Sequence, residues 1–281
     1  MKNLMRYRIN IFLALVMLAN FAKGQTHRFI YDVIYKKDST SNVTTKENYI
    51  LDIRNSETVF YTRDFYLADS LINNNIPFPK DMKLNTSNII THKIGNNLFE
   101  EYDLIENTVL NLKSENSQNW KLTDEKKQIK NLTLQKATTD WGGRHWIAWF
   151  TTSFPFPEGP HKFHGLPGLI IELSDDKNNY HFVLAKNEKI ANPEENQFIE
   201  NSKQMSIPVD WKKYTAMKLN YYESPVSFIK NGIGNSKVED FFLNDGTVVN
   251  SQNQREINNQ LRNAIKKYNN PIELDKAITY P

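Results

Sequence analysis

From Thr26 onwards apolar and polar side chains alternate with a period of two, as they must in a strand that buries one face. HRFIYDVIYKK (27–37), NYILDIR (48–54) and ETVFYTRDFYLAD (57–69) show this most plainly, and the short Asn55-Ser56 link predicts a hairpin between the last two. Further strands are predicted over 87–94, 97–104, 107–114, 119–123, 129–141, 144–152, 168–175 and 179–190, with Gly, Asn or Asp punctuating nearly every gap. So many short strands predict a mainly β domain: an antiparallel sheet, sandwich or open barrel rather than a stack of βαβ units. The tail has a different period. Ile257, Leu261, Ala264 and Ile265 fall at helical spacing between Ser251 and Lys267, which predicts one C-terminal amphipathic helix laid on the sheet and ended by Asn270-Pro271. Residues 192–201 are polar and read as a loop or short acidic turn.

The start of the chain departs from both patterns. Lys2, Arg6 and Arg8 precede an unbroken apolar run from Ile11 to Ala19, and Ala22-Lys23-Gly24 sets small residues at the positions a signal peptidase inspects. Residues 1–24 are therefore read as a secretory leader cleaved before Gln25, and 25–281 as a single β-rich domain; the apolar run is too short for a membrane anchor. This changes the charge. The chain has 35 basic and 32 acidic residues, but the leader takes four basic and no acidic ones, leaving 31 against 32 and a net charge of −1. A nearly neutral mature chain gives no electrostatic case for nucleic acid. Without a single cysteine it forms no disulfide, thiolate metal site or thiol nucleophile. The chain is expected in the periplasm, at the periphery of the outer membrane or outside the cell, with no transmembrane span after cleavage.

One stretch resists the strand pattern. GPHKFHGLPGLIIEL (159–173) packs prolines, glycines and two histidines ahead of an apolar run. Pro155, Pro157 and Pro160 cannot donate to a central ladder, and Leu166-Pro167-Gly168 suits a turn in which Pro fixes φ and Gly168 takes a positive φ. Gly159, Pro160, Gly165, Pro167 and Gly168 are thus read as a structural motif that folds the backbone back between two covered strands. With AWFT and GP upstream, KFHG, the hexapeptide GLPGLI (165–170) itself and NPIEL (270–274) near the end, the chain resembles the GLPGLI family of exported proteins of Bacteroidetes-type bacteria. The resemblance covers chiefly residues 129–175 and implies export and a β-rich envelope protein, with no function attached. Leu134 stands where members of that family often carry a cysteine, so no role of such a thiol carries over.

Candidate chemistry is sparse. His161 and His164, with His145 and His181 and with Glu158 or Asp175, have the residue types of a Zn or Cu site, but no HExxH frame is present and turn histidines bonded to backbone are the simpler reading. Trp146 shares a strand face with Ala148 and Phe150, and Trp149 shares the other with His145 and Ile147. Both faces being apolar, the strand is expected to be covered on two sides, with Trp146 and Trp149 as core or, alternatively, as a platform for a ligand. No nucleophile elbow, phosphate-binding glycine loop or cofactor signature appears. The binding candidates are Trp146, Trp149, His161 and His164; no residue is assigned as catalytic and no metal or cofactor is expected. These features predict a cell-envelope protein that binds or assembles with another envelope protein, a peptide or an amphiphile. The alternatives are a metal-assisted hydrolase using His145, His161 and His164, and a periplasmic carrier of an amphiphile or lipid.

Overall fold

A computed structural model describes residues 25–77, 88–106, 108–232, 240–243 and 246–281, so residues 1–24, read from the sequence as a leader, lie outside the described residues. The chain is mainly β, as the alternation predicts. Strands β1 (Thr26–Tyr35), β2 (Thr45–Arg54), β3 (Glu57–Thr62), β4 (Asn88–Lys93), β5 (Leu98–Ile105) and β6 (Thr108–Glu115) pair in chain order. So do β7 (Lys121–Ile129), β8 (Leu132–Trp141), β9 (Arg144–Thr151), β10 (Leu169–Asp175) and β11 (Tyr180–Ile190). Antiparallel pairing of β1 with β11 joins the two meanders, and β12 (Ile207–Val209) adds a parallel strand beside β6. The result is one twelve-stranded sheet, with β12 and β7 at its edges, that does not close into a barrel. A separate pair, β13 (Phe241–Phe242) and β14 (Val248–Val249), lies outside it.

The predicted β2–β3 hairpin is present. Asn55 and Ser56 both take positive φ, +50° and +65°, the turn geometry whose twist matches that of the flanking strands. Gly142 and Gly143 repeat the device between β8 and β9 at +60° and +72°.

Alternation sorts the side chains into two cores. Phe29, Tyr31, Val33, Leu51, Phe60, Ile90, Phe99, Trp146, Ala148, Phe150 and Phe182 fill the inner face. On the opposite face of the same strands Ile50, Tyr61, Ile89 and Tyr102 point outward, where they are covered by Phe65 of α1 (Arg63–Asn73) and Ile199 of α2 (Gln197–Gln204).

Helices are where the strand pattern misleads. The stretch read as one strand over 57–69 breaks at Thr62, whose hydroxyl accepts the Asp64 amide at 2.9 Å and caps α1. Phe65 and Ala68, three apart, are the buried pair on that helix. Asn196 caps α2 in the same way, inside the stretch read as a polar loop. Asp210 caps α3 (Trp211–Glu223), and α4 (Pro225–Gly232) opens on a proline, which suits a first helical position. The predicted tail helix exists as α5 (Gln254–Lys267), but its Ile257 packs with Val226 and Ile229 of α4 and with Phe241 and Val249, forming a third small core instead of lying on the sheet. None of the described helices is long and apolar enough to cross a membrane.

Candidate functional site

The segment between β9 and β10 is a plug against the inner face. Its backbone closes on itself through Gly165 N to Pro157 O at 2.8 Å, and ties to the sheet through Ile170 N to Glu158 O at 3.0 Å and Leu169 N to Phe154 O at 3.1 Å. Glu158, Gly159, Pro160, Lys162, Phe163, His164 and Leu166 are all buried. The Phe163 ring sits edge-on to Trp146 and Trp141, with centroids 4.7 and 4.8 Å away. The residues just before β7 clamp it from the other side. Gln118 donates to Lys162 O and accepts from His164 N, and the Trp120 indole donates to His164 O at 2.8 Å.

Gly168 needs a different explanation from the predicted one. Its φ is not positive; a Cβ there would lie 2.1 Å from the Thr151 carbonyl oxygen, so glycine is required by close approach of the end of β9. Positive φ falls instead on Gly165, at +90°, and on His161, at +58°. The second value is uncommon for a side-chain-bearing residue.

Two buried cations tie this region to the tail. The Arg144 guanidinium, 2% exposed, bonds Asp175 at 3.1 Å, the Asn270 side chain and Pro271 carbonyl at 2.6 Å each, and the Ile272 carbonyl at 3.0 Å. Leu274 N donates to Gly142 O at 2.7 Å, and Cβ atoms at Gly142 or Gly143 would press on Glu273 or Leu274 at 3.2 and 3.1 Å. The β8–β9 turn is therefore the seat of the NPIEL stretch. Lys162, 1% exposed, places its ammonium 2.7 Å from Glu101 Oε2 on β5 and 2.6 Å from Glu273 Oε1; Lys276 pairs with the other Glu273 oxygen. Burial pushes the Glu273 carboxyl up, but the groups around it, Lys162 first among them and Lys276 bonded to it, together outweigh that and hold it at about 2. Burial pushes Lys162 down, and Glu101 with Glu273 outweigh that, so its ammonium holds its proton more tightly than an ordinary lysine.

Between the inner face and the tail lies an open cavity of about 720 Å³. Val33, Tyr35, Tyr49, Phe60, Ile90, Leu112 and Phe182 form its sheet side, α3 contributes Tyr214 and Lys218, and Ile272 and Ile278 face them from the tail. Tyr49 stacks on Phe60 and Tyr35 on Tyr180, with ring centroids 5.1 and 5.7 Å apart. Exposed Trp211, Lys266 and Tyr268 stand at its rim. Glu101, Glu273 and His161 supply the polar wall, and Lys218 is neutralised by Asp103 at 2.7 Å.

Of the four binding candidates named from the sequence, only His161 lines this cavity. Burial, with Lys162 adding to it, lowers its pKa to about 4 and keeps the ring neutral. His164 sits in a smaller cleft of about 240 Å³, between Lys162 O and Asn97 Oδ1 at 3.1 Å each. Trp146 is core, its indole donating to Trp141 O at 3.0 Å. Trp149 is on the opposite, outer face under the Lys127 ammonium at 4.3 Å, so the two tryptophans form no common platform. That outer face of β9, with His145 exposed and Ile147 and Trp149 partly so, is not covered as both-sided burial predicts. His145 pairs with Asp140 and His181 is exposed; among the described residues no three His, Cys, Asp or Glu are placed to hold a metal ion. The charged residues Arg144, Lys162, Glu101 and Glu273 escape sequence reasoning. Their signal is slight: single charges within otherwise apolar, glycine- and proline-rich motifs, KFHG and NPIEL.

Residues 142–172 match the model of a family described as "Protein of unknown function (Porph_ging)". No curated protein matches the chain in sequence. Two solved structures of PNGF-II are similar to part of it. The form in space group P21 gives a TM-score of 0.49 at 16% identity, covering 69% of this chain and 33% of that one. The C2 form gives 0.47 at 14% identity, covering 77% and 34%. The chain thus spans about a third of the length of those structures.

Proposed function

We propose that this is an exported envelope protein of the GLPGLI type that binds an amphiphile, holding one chain-like apolar ligand in the cavity between the inner face of its sheet and its tail. The observation that carries the reading is the cavity wall. About 720 Å³ falls within the size of small-molecule sites, roughly 300–1,000 Å³, and aromatic and aliphatic side chains with a few grouped polar ones are their usual lining. The apolar body of a ligand gains by leaving water for Val33, Phe60, Ile90 and Phe182, while the grouped polar side chains Glu101, Glu273 and His161 face its polar end. This favours the carrier reading over binding by Trp146 and Trp149, which face opposite sides of β9.

Native mass spectrometry of freshly isolated protein tests it. An adduct of one amphiphile per chain is expected, with saturable uptake of a fluorescent acyl probe after delipidation. Leu112→Trp, which places an indole in the wall of the cavity, is expected to remove both while the circular dichroism stays that of the wild type. Absence of an adduct together with absence of probe binding overturns the proposal.

A further inference from the structure

The ligand's polar group is legible in the wall. His161 is the one residue of the plug whose ring opens on the cavity, and its backbone is held at φ +58° to put it there. The plug is fixed on both sides of it: Pro160 and Lys162 are buried, and Lys162 is locked between Glu101 and Glu273. Yet the imidazole itself makes no hydrogen bond among the described residues, and its Nδ1 is buried without a partner. A buried polar nitrogen left unpaired and a left-handed non-glycine backbone each cost the fold stability. Such residues cluster at sites where a ligand completes the arrangement.

Beside the ring, every carboxylate oxygen already has one donor. Glu101 accepts from Asn88 and Lys162, and Glu273 from Lys162 and Lys276. Glu101, Glu273, Lys162 and Lys276 therefore cancel. An incoming carboxylate would meet the two glutamates and an incoming ammonium the two lysines, each after losing its water. An uncharged hydroxyl meets neither penalty, and donates to a neutral imidazole nitrogen.

Resting on the amphiphile-binding reading above, we infer that the cavity selects a long-chain amphiphile with an uncharged hydroxyl head, and that His161 is the residue that reads it by accepting the hydroxyl proton in a hydrogen bond. The contacts of Lys162 with Glu101 and Glu273 fix the plug on which the imidazole is carried.

The test is titration of delipidated protein with three twelve-carbon ligands below their micelle concentrations: 1-monolaurin, laurate and dodecylammonium. Monolaurin is expected to bind at least tenfold more tightly than either ion. His161→Phe keeps a ring of similar size without nitrogen, and is expected to bring the three within about threefold. His161→Asn, which tolerates positive φ and offers an acceptor oxygen, is expected to keep the preference for monolaurin. An ion that binds as tightly as monolaurin, or a preference that survives in His161→Phe, overturns the inference while the cavity remains a binding site. Absence of saturable binding by all three overturns the reading of the cavity as well.

Discussion

Replacing Lys162 with Met keeps the length of the stem and removes the ammonium. It leaves Glu101 and Glu273, 15% and 9% exposed at their side chains, facing one another with no cation between them. The magnitude follows from Glu273 alone. Its carboxyl stands at about 2 in the fold against 4.5 ordinarily, a gap worth about 3 kcal/mol at neutral pH, of which Lys162 is the leading attractive cause. Glu101, also held below its ordinary value, adds in the same direction. Breaking a buried ion pair by removing one partner costs about 3–5 kcal/mol, so the two routes agree. A depressed carboxylate stabilises the fold above 4.5, and that contribution is lost as pH falls through the folded value near 2. Urea unfolding at pH 7 is therefore expected to show Lys162→Met less stable by about 3–5 kcal/mol, with the deficit shrinking below pH 4.5. Adding Glu273→Gln to the variant should recover part of it. A deficit under about 1 kcal/mol at pH 7, or one of the same size at pH 3, refutes the claim that this ion cluster holds the plug to the tail.

Gly168→Ala is expected to lose about 3 kcal/mol or more, because the new Cβ overlaps the Thr151 backbone, and Gly168→Asn to lose at least as much. Asparagine tolerates positive φ, so an asparagine variant within about 1 kcal/mol of wild type would restore the turn explanation set aside above. His161 and His164 both bind a proton less readily in the fold than in the unfolded chain. For His161 the gap runs from 6.5 to about 4, so stability is full above pH 6.5 and falls by up to about 3 kcal/mol as pH drops to 4. Urea midpoints at pH 7.5, 5.5 and 4.5 should show that slope and show it reduced in His161→Asn; parallel curves for the two proteins would contradict it.

Most of the sheet was legible because period-two burial leaves a direct trace: Phe29, Tyr31 and Val33 face in while Asp32 and Ile34 face out. β7 reads short in the sequence because its middle, Asp124 to Lys126, is exposed and carries no alternation. The helix at Arg63–Asn73 hid in the same pattern from the other side, since Phe65, Leu67 and Ala68 look like strand positions until Thr62 is seen to cap them. The proline- and glycine-rich stretch was legible as a non-strand segment but not as a plug. Burial of its Lys162 depends on two carboxylates, 61 and 111 residues away in sequence, that no local signal connects to it. His161 reads in the sequence as a binding candidate, with a shared metal only as the alternative; it lines the cavity beside Glu101 and Glu273, neighbours set by β5 and the tail rather than by His145 or His164.

The seam between β1 and β11 bears on the order in which the chain can fold. Within each meander a strand finds its partner within a few dozen residues, but Thr26 must wait for Ile190, and the floor it then completes receives its roof only from residues 270–276. As the chain lengthens from its N-terminus, β1 therefore pairs early with β2 along one edge and leaves its other edge open until β11 is in place. Pairing so distant in sequence closes late and slowly. In the amphiphile-binding reading proposed above, a ligand enters the interior only once the tail is seated, so loading and completion of the fold become a single event.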